Sequence, residues 1–379
     1  MSINVQKKDL LEAMQKAYPI VPSKSSLMIL CNFRISYADS ILEILATDVD
    51  HSLRVTVGAS GDGVIDIAVN AKKIFDVVRE LPEGSVTVDV DGMVLMIESE
   101  KGFSCKISGA DPSDFPGVPS MEDGVGFSVD APTLRDIIRK SSFAVAKDES
   151  RGSLSGVLWE LRSDKMGMVS TDGHRLGCSF IDINLPVGES VSRIISQKSV
   201  STLVRITDTD DADEVLKIVI GEKYISFSAP SFTMVSKLVD GQYPEYSKVI
   251  PKNNPRVVVA DRVSMFDAAR RVSVMSNAKT NLIKLIFRNG EMEATVINKE
   301  IGGEARESVG VEYEGDEHIV GFNGKYFTEI LDIMKTEKVR LEMNTQISAC
   351  VIYPVYADEK EKVSEDLFLI MPLRILDEI

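Results

Sequence analysis

The chain has 379 residues and lacks the short motifs by which nucleotide and metal sites are usually recognised. It contains neither G-x-x-x-x-G-K-[ST] nor G-x-G-x-x-G, so no phosphate cradle for ATP or a dinucleotide is predicted. Its four cysteines are far apart and form no C-x-x-C pair, which argues against a zinc site or a disulfide framework. The sequence therefore predicts no cofactor and no bound metal, and its cysteine usage fits a reducing cytoplasm.

Long hydrophobic runs are also missing. No stretch approaches the roughly 18 apolar residues that a membrane-spanning helix needs. The N-terminus has no basic segment followed by a hydrophobic one, as a secretory signal would. We therefore expect a soluble cytoplasmic protein with no membrane partner.

What the sequence does contain is a long internal repeat. Three variations on one start-of-helix phrase begin 126 and then 127 residues apart: Asn-Ala-Lys-Lys-Ile-Phe at 70–75, Ser-Gln-Lys-Ser-Val-Ser at 196–201 and Asn-Gly-Lys-Tyr-Phe-Thr at 323–328. Each follows a β-rich run and leads into an amphipathic pattern. A second set, beginning at Val5, Val129 and Val259, reads as strand, polar cap and helix, with Asp or Thr available as the cap. Three copies of strand, helix, strands, helix, strands thus fill the chain, which indicates an α+β fold.

The period of the repeat is about one domain, and it predicts three of them. We place them at residues 1–122, 123–251 and 252–379, because Pro, Gly and Asn interrupt the periodic pattern near 121–124 and 251–255. The composition, 44% hydrophobic and 27% charged, is sufficient for a core in each unit.

The net charge of −15 would ordinarily argue against a nucleic-acid partner, since phosphate binding depends on Lys and Arg. The distribution of charge matters more than its sum. Basic residues recur in the predicted helices, among them Lys7, Lys72, Arg135, Lys140, Lys198, Arg262 and Arg271. Charge alone favours the simpler interpretation, that these are ordinary solvated helix faces. The alternative is a basic helical side that surrounds DNA while the remaining surface stays acidic.

The segment Thr171-Asp172-Gly173-His174-Arg175-Leu176 is the densest candidate for chemistry. A hydroxyl, a carboxylate and an imidazole invite a nucleophilic interpretation. Residues adjacent in sequence seldom build that geometry, and Asp172-Gly173 favours a turn in which Gly takes a positive φ. We therefore predict a turn and keep a hydrolase as an alternative.

Several motifs together resemble the bacterial sliding clamps, the β subunits of DNA polymerase III. They are the Thr171–Leu176 segment, Ser236 to Tyr246, Leu81-Pro82-Glu83-Gly84 and the tail Met371-Pro372-Leu373-Arg374. The resemblance runs the whole length and agrees with the three-unit repeat. It implies a head-to-tail dimeric ring of clamp-fold domains, each with two helices packed on antiparallel sheets, closed around double-stranded DNA. It also implies a non-catalytic processivity factor that slides on the phosphate backbone without reading sequence.

The resemblance further implies three sets of site residues. A pocket between the second and third domains would bind short hydrophobic peptides of the replicative polymerase α subunit, the clamp loader δ subunit, other polymerases and repair proteins. Its residues would be Leu154, Thr171, Gly173, His174, Arg175, Leu176, Pro244, Lys248, Val249, Ile347, Ala349, Leu369, Ile370, Met371, Pro372, Leu373 and Arg374. DNA contacts would fall on Lys24, Lys72, Lys147, Arg151 and Lys198. The dimer seam would join Phe103 and Cys105 to Val274 and Met275 of a second copy.

Three details qualify this picture. Lys248 stands where the family often has Arg, and Ala349 where a Ser can stand, so the polar contacts there differ. Residues Leu376 to Ile379 extend beyond the usual end of the family, and we predict that they flank the groove or modulate access to it.

A generic three-domain scaffold, which would be a monomer, remains the second alternative. A clamp is expected in the cytoplasm, associated with the nucleoid.

Overall fold

The computed structural model describes residues 2–121, 124–208, 213–358, 360 and 362–375. The C-terminal extension predicted to flank the groove lies outside these residues, as does most of the acidic run after Asp208. Six helices are present in the described residues, two in each copy of the repeat. They are α1 Lys7–Ala17, α2 Ala71–Glu80, α3 Ala131–Ser142, α4 Gln197–Ile206, α5 Arg262–Ser273 and α6 Gly324–Ile333. Among the described helices, none has both the length and the apolar character to cross a membrane.

Twenty-five strands accompany the helices in the described residues, and each copy has eight or nine. The first copy contains β1 Ile3–Gln6, β2 Asn32–Ala38, β3 Ile41–Thr47, β4 His51–Gly58, β5 Ser60–Gly61, β6 Ile65–Asn70, β7 Ser85–Asp91, β8 Val94–Ser99 and β9 Ser104–Ala110. The second contains β10 Val125–Asp130, β11 Gly156–Leu161, β12 Lys165–Thr171, β13 Arg175–Asp182, β14 Val191–Ser196, β15 Val215–Ile220, β16 Tyr224–Ala229 and β17 Phe232–Lys237. The third contains β18 Arg256–Asp261, β19 Leu282–Arg288, β20 Glu291–Asn298, β21 Gly303–Glu312, β22 His318–Asn323, β23 Lys338–Met343, β24 Cys350–Val355 and β25 Glu365–Ile370.

The predicted helix starts are confirmed, and side chains cap most of them. Asn70 and Asn323, the first residues of two of the repeated phrases, accept hydrogen bonds from the first-turn N–H groups of α2 and α6. Asp130 and Asp261 do the same for α3 and α5. Such caps satisfy the N–H groups that have no partner within the helix.

The first helix departs from the predicted capping. Gln6 occupies the N-cap position of α1 and makes no side-chain cap hydrogen bond. The N–H of Lys7 instead donates to the Gly84 carbonyl, at 3.0 Å. The corresponding N–H of α5, from Arg262, donates to the Glu337 carbonyl at 2.8 Å. A backbone contact from the loop after the second helix is thus present at both helices, and at α1 it closes the N-terminus without a side-chain cap.

Each copy contributes two antiparallel half-sheets. In the first copy the strand orders are β6-β2-β3-β4 and β9-β8-β7-β1, in the second β14-β11-β12-β13 and β17-β16-β15-β10, and in the third β22-β19-β20-β21 and β25-β24-β23-β18. Neighbouring copies are joined edge to edge, and the two half-sheets of the first copy and of the third also meet, through β6–β9 and β18–β21. Together with β5 this produces one 13-stranded and one 12-stranded sheet.

Neighbouring copies of the repeat are joined at two seams, and each seam is an antiparallel pairing between one strand of each copy. At the first seam β4 pairs antiparallel with β17, from Phe232 opposite Val55 to Ser236 opposite His51. At the second seam β13 pairs antiparallel with β25, from Arg175 opposite Ile370 to Phe180 opposite Glu365. Backbone hydrogen bonds thus carry the sheets from one copy into the next.

The compact structural units of the chain do not coincide with the three copies of the sequence repeat. One compact unit consists of Met1–Arg135 and Lys198–Leu238, and the other of Asp136–Gln197 and Val239–Ile379. The divisions pass through α3 and α4, so the central copy contributes to both units. The continuous sheets account for this, because each joins half of the central copy to a neighbour. The domain limits at 122 and 251 are limits of the repeat and stay a prediction.

Apolar side chains fill the space between sheets and helices in each unit. In the third copy Met265 of α5 and Phe327 of α6 belong to one fully buried cluster with strand residues such as Phe287 and Leu341. The rings of Phe322 and Phe327 stack with centroids 5.6 Å apart. The α5–α6 pair and the strands beneath it therefore share a single core.

Candidate functional site

The Thr171–Leu176 segment forms a turn between β12 and β13, as predicted. Thr171 Oγ1 donates to the Arg175 carbonyl at 2.7 Å and accepts the Gly173 N–H at 3.1 Å. Asp172 Oδ1 accepts the N–H groups of His174 and Arg175 at 2.9 and 3.0 Å. Gly173 has φ +87°, a conformation that favours glycine. The hydroxyl and the carboxylate are therefore used to build the turn.

This arrangement does not support the hydrolase alternative. His174 is exposed, and within the described residues its ring has no hydrogen-bond partner. The Thr171 hydroxyl already donates to a carbonyl, so no base is placed to activate it. Nor, in the described residues, do three His, Cys, Asp or Glu side chains gather in a way that could hold a metal ion.

The second seam brings the C-terminal tail against this turn. Leu176 lies opposite Leu369 in the antiparallel ladder. The Met371 N–H donates to the His174 carbonyl at 2.7 Å, which extends the contact past the end of β25. The Leu373 N–H then donates to the Gly321 carbonyl at 2.8 Å. The predicted tail and the predicted turn are thus held together by backbone hydrogen bonds.

An apolar cluster lies under this junction. Leu176, Ala349 and Leu369 are buried in it together with Val169, Cys178 and Ile194. The segment after β17 packs against the cluster through Tyr243, Tyr246 and Ile250. The structure therefore brings Leu176 of the turn, Leu369 of the tail and Ala349, just before β24, into one cluster.

Apolar and basic side chains remain exposed around the cluster. Val249 is 56% exposed, Ile347 72% and Met371 38%. Lys248 is exposed and forms an ion pair with Glu245. Leu154 lies in the 3-10 segment Glu149–Ser155 and is half-buried, as are Pro372 and Leu373, whereas Pro244 and Arg374 are exposed. Exposed apolar side chains beside a buried apolar floor are typical of a peptide-binding surface.

Sequence reasoning missed the two tyrosines that hold this surface in place. The Tyr243 hydroxyl accepts the Thr171 N–H at 3.0 Å, and burial raises the pKa of Tyr243 well above its usual value. The Tyr246 hydroxyl donates to Glu160 Oε2 at 2.9 Å. Both lie in the 236–246 motif, but their roles depend on contacts across the sheet that no sequence spacing reveals.

A cavity of about 450 Å³ adjoins the cluster through Cys178, Phe180 and Leu367. It lies where β24 and β25 diverge, since their pairing ends at Ile352 opposite Phe368. None of the predicted pocket residues lines it.

The five residues predicted to contact DNA differ in whether their side chains already have a partner within the chain. Lys24, Lys72, Lys147 and Arg151 are exposed, and within the described residues their side chains have no ion pair. Lys198 is different, because its Nζ lies 2.7 Å from Asp48 Oδ2 and donates to the Ile20 carbonyl at 3.0 Å.

Asp48 belongs to a turn that repeats the geometry of the Thr171–Leu176 turn. Thr47 Oγ1 donates to the His51 carbonyl at 2.9 Å, and Asp48 Oδ1 accepts the His51 N–H at 2.7 Å. Burial opposes ionisation of Asp48, but hydrogen bonds from His51 and Lys198 outweigh it and hold the pKa of Asp48 at about 2. Lys198 therefore stabilises the first seam.

Several other basic residues of the helices are also used internally. The Lys140 ammonium is buried and lies 2.8 Å from the Asp366 carboxylate. Arg262 donates to the carbonyls of Thr336 and Leu331. The alternative of a basic helical side thus includes too many residues, because side chains such as Lys140 and Arg262 are engaged by acceptors within the fold.

The predicted seam residues lie beside two strand edges. Phe103 is 44% exposed just before β9, and Val274 is 81% exposed just after α5. Met275 is partly buried against the core of the third copy. Cys105 is half-buried within β9, and burial raises the pKa of its thiol.

Three family descriptions match the chain in order along its length. They are "DNA polymerase III beta subunit, N-terminal domain" over residues 1–119, the central domain over 128–245 and the C-terminal domain over 247–370. The chain is 31% identical to the beta sliding clamp of Proteus mirabilis and 30% identical to that of Escherichia coli K12, in each case over 99% of this chain and all of the relative.

Solved structures give the same result. The sliding clamp of Pseudomonas aeruginosa bound to griselimycin superposes with a TM-score of 0.92 at 29% identity. The DNA polymerase III beta subunit of Thermotoga maritima superposes with a TM-score of 0.90 at 26% identity. Each comparison covers 99% of this chain and all of the other.

We expect Asp48→Asn to reveal the stability that the fold gains from the ionised Asp48 carboxylate, which His51 and Lys198 hold by hydrogen bonds. The folded pKa of about 2 lies below the ordinary 3.8, so the stabilisation is fully present above about pH 4 and is lost as the pH falls toward 2. At pH 7 the variant should lose about 2 kcal/mol of unfolding free energy, measured by urea denaturation. Asp50→Asn is the control, because Asp50 pairs with Lys237 only at the exposed surface. A deficit for Asp48→Asn that persists unchanged at pH 2.5 would contradict the assignment.

Proposed function

The chain belongs to the DNA polymerase III beta subunit family, and on that premise we propose how its surfaces serve a sliding clamp. It is a non-catalytic processivity factor of DNA replication with the three-domain clamp fold. The observation that carries this conclusion is the ordered match of all three family domains along the chain. The residues assigned below are our proposal, as is a cytoplasmic location in association with the nucleoid.

We propose first that two copies close a ring by repeating the internal seam. Each internal seam joins the last strand of one half-sheet to the last strand of a half-sheet in the next copy, β4 to β17 and β13 to β25. Two strands are left over, β9 of the first copy and β21 of the third. Each pairs with a second half-sheet of its own copy at only two residues, and for β9 these are Gly109 and Ala110. A head-to-tail dimer would pair β9 of one protomer with β21 of its partner, beside Phe103, Cys105, Val274 and Met275.

We propose second that the ring surrounds duplex DNA and contacts its phosphates through Lys24, Lys72, Lys147 and Arg151. These cations are exposed and free of ion pairs within the described residues. Such contacts hold the backbone without reading base sequence, which sliding requires. Lys198 would contribute less, because Asp48 already neutralises it.

We propose third that the surface at the second seam binds short hydrophobic peptides of the polymerase α subunit, the clamp loader δ subunit, other polymerases and repair proteins. Leu176 and Leu369 would form its floor, with His174, Val249 and Met371 exposed around them. Support comes from the related clamps of Pseudomonas aeruginosa and Bartonella birtlesii, whose solved structures are bound to griselimycin. A few buried apolar anchors supply most of the energy in such interfaces.

The dimer proposal predicts a particle of twice 41.7 kDa by light scattering. Phe103→Asp should shift the protein to monomer, since it would bury a charge beside the β9 edge. Val64→Asp is the matched control, because Val64 is an 82% exposed valine of the same copy outside the proposed seam. Wild-type protein that is monomeric at micromolar concentration would favour the generic-scaffold alternative.

The DNA proposal predicts retention that depends on topology. Protein loaded on nicked circular DNA should remain bound during gel filtration and be released when the circle is cut. In direct binding, Lys72→Ala and Arg151→Ala should each reduce the slope of log K against log salt by about 0.9 for each protomer whose cation contacts a phosphate. Lys198→Ala should change the slope less and unfolding stability more. Equal loss from circular and linear DNA would contradict the ring.

The pocket proposal predicts that griselimycin binds and that Met371→Ala weakens it by about tenfold, measured by calorimetry. His174→Ala should weaken binding in the same direction. Met28→Ala is the control, because Met28 is a 73% exposed methionine of the first copy. Equal affinity for wild type and Met371→Ala would exclude this surface as the site.

A further inference from the structure

The cavity beside the apolar cluster is an opening between two strands of the sheet. The pairing of β24 with β25 ends at Ile352 opposite Phe368, although β24 continues to Val355 and β25 begins at Glu365. The cavity of about 450 Å³ lies between these unpaired parts. Backbone groups on the facing edges therefore have no partner in the opposite strand, and a bound peptide would supply one by strand addition.

The sequence keeps these two strands apart. The register of the ladder would place Pro354 opposite Asp366, and proline has no N–H to donate. The Asp366 carboxylate is bonded instead to α3, where Lys140 Nζ lies 2.8 Å away. It also accepts the hydroxyls of Ser364 and Tyr356 at 3.0 and 3.3 Å. A buried network of this kind is rigid, so the cavity is formed before any ligand binds.

Aromatic and apolar side chains form the walls of the cavity. Phe180 lines it from β13, Tyr353 from β24 and Leu367 from β25. Arginines lie over both rings: the guanidinium carbon of Arg340 is 4.8 Å from the Tyr353 ring centroid, and that of Arg162 is 5.9 Å from the Phe180 ring centroid. Rings and guanidinium planes favour a flat aromatic group, which stacks on them.

One of the four charged residues that line the cavity lacks a partner of opposite charge. Asp366, Glu365 and Arg340 each form an ion pair. Lys362 is exposed and, among the described residues, has no ion-pair partner. A ligand that carries a carboxylate would pair with this ammonium group.

The cavity continues the apolar surface of the proposed peptide pocket. Leu176 and Leu369 belong to that pocket, and Cys178 and Leu367, two residues further along the same strands, line the cavity. The end of β25 at Glu365 lies four residues from Leu369, which is about 13 Å along a strand. An extended peptide covers this distance with about four residues. One bound segment can therefore reach both places.

We propose that the cavity is an accessory subsite of the peptide pocket. It takes an aromatic side chain that stands next to an acidic residue, about four residues from the anchors that fill the pocket. The ring packs against Phe180 and Tyr353, and the acid pairs with Lys362. The inference rests on the proposed peptide pocket, and it adds a recognition element outside the residues predicted for that pocket.

The first test uses N-acetyltryptophan, an aromatic carboxylate, as the probe in ligand-observed NMR titrations. Lys362→Gln should weaken its binding about two- to fivefold. Lys360→Gln is the matched control and should change nothing, because Lys360 is an exposed lysine of the same loop that does not line the cavity. Val355→Trp should abolish binding by filling the cavity. Wild type that does not bind the probe, or equal affinity for wild type and Lys362→Gln, would overturn the proposal.

The charge of the probe has its own control. N-acetyltryptophanamide keeps the ring and lacks the carboxylate, so it should bind wild type and Lys362→Gln equally and more weakly than N-acetyltryptophan binds wild type. Saturating griselimycin should leave the binding of N-acetyltryptophan unchanged, because none of the predicted pocket residues lines the cavity. Displacement of the probe by griselimycin would place it in the pocket and contradict the separate subsite.

The second test asks whether a peptide uses the pocket and the cavity together. Short random peptides displayed on phage are selected on wild type, and the tightest binders should carry the aromatic–acidic pair. They should be displaced by griselimycin and lose about tenfold in affinity for Val355→Trp. Binders that keep full affinity for this variant would overturn the accessory subsite. If griselimycin fails to bind wild type while N-acetyltryptophan still responds to Lys362→Gln, the pocket proposal fails and the cavity stands as a site of its own.

Discussion

Backbone pairing between the last strands of neighbouring copies is the constraint on which the rest of the structure depends. At each seam it fixes where the Thr-Asp turn of one copy meets the second helix of the next. At the first seam Asp48 meets Lys198, and at the second Arg175 meets Glu329. Because the ladder sets these positions, side chains at the turn can change from one seam to the other while the geometry is kept.

The two seams show how one geometry supports different chemistry. The Lys237 N–H donates to the Asp50 carbonyl at 2.7 Å, and the Met371 N–H donates to the His174 carbonyl at the same distance. These bonds identify corresponding positions: Asp50 and Lys237 at the first seam occupy the places of His174 and Met371 at the second. Two residues further along, Ser52 corresponds to Leu176. The first seam is therefore ionic and polar where the second carries the apolar side chains of Leu176 and Met371, and this difference supports our proposal that the second seam binds the hydrophobic peptide.

Much of this fold follows from sequence because its signals are local. Helix starts at Asn70 and Asn323 depend on a capping side chain within three residues, and the turn at Asp172-Gly173 depends on a glycine with positive φ. What sequence could not reveal depends on distant contacts. The burial of Arg175 between Phe143 and Tyr326 joins residues up to 183 positions apart. The neutralisation of Lys198 by Asp48 likewise required the first seam to be known.

The same edge-to-edge pairing concerns β9 and β21, which within the chain are paired along only a short part of one edge. In β9 and β21, exposed and half-buried residues alternate, and charged side chains such as Lys106, Glu304 and Arg306 stand in the exposed positions. Charges on a free edge discourage indiscriminate strand pairing. They do not remove the unpaired N–H and C=O groups, which a partner strand would satisfy. In the proposed dimer a second copy arranged head to tail would offer β21 to β9 and β9 to β21 at once, so the rule that joins the copies within the chain would also close the assembly.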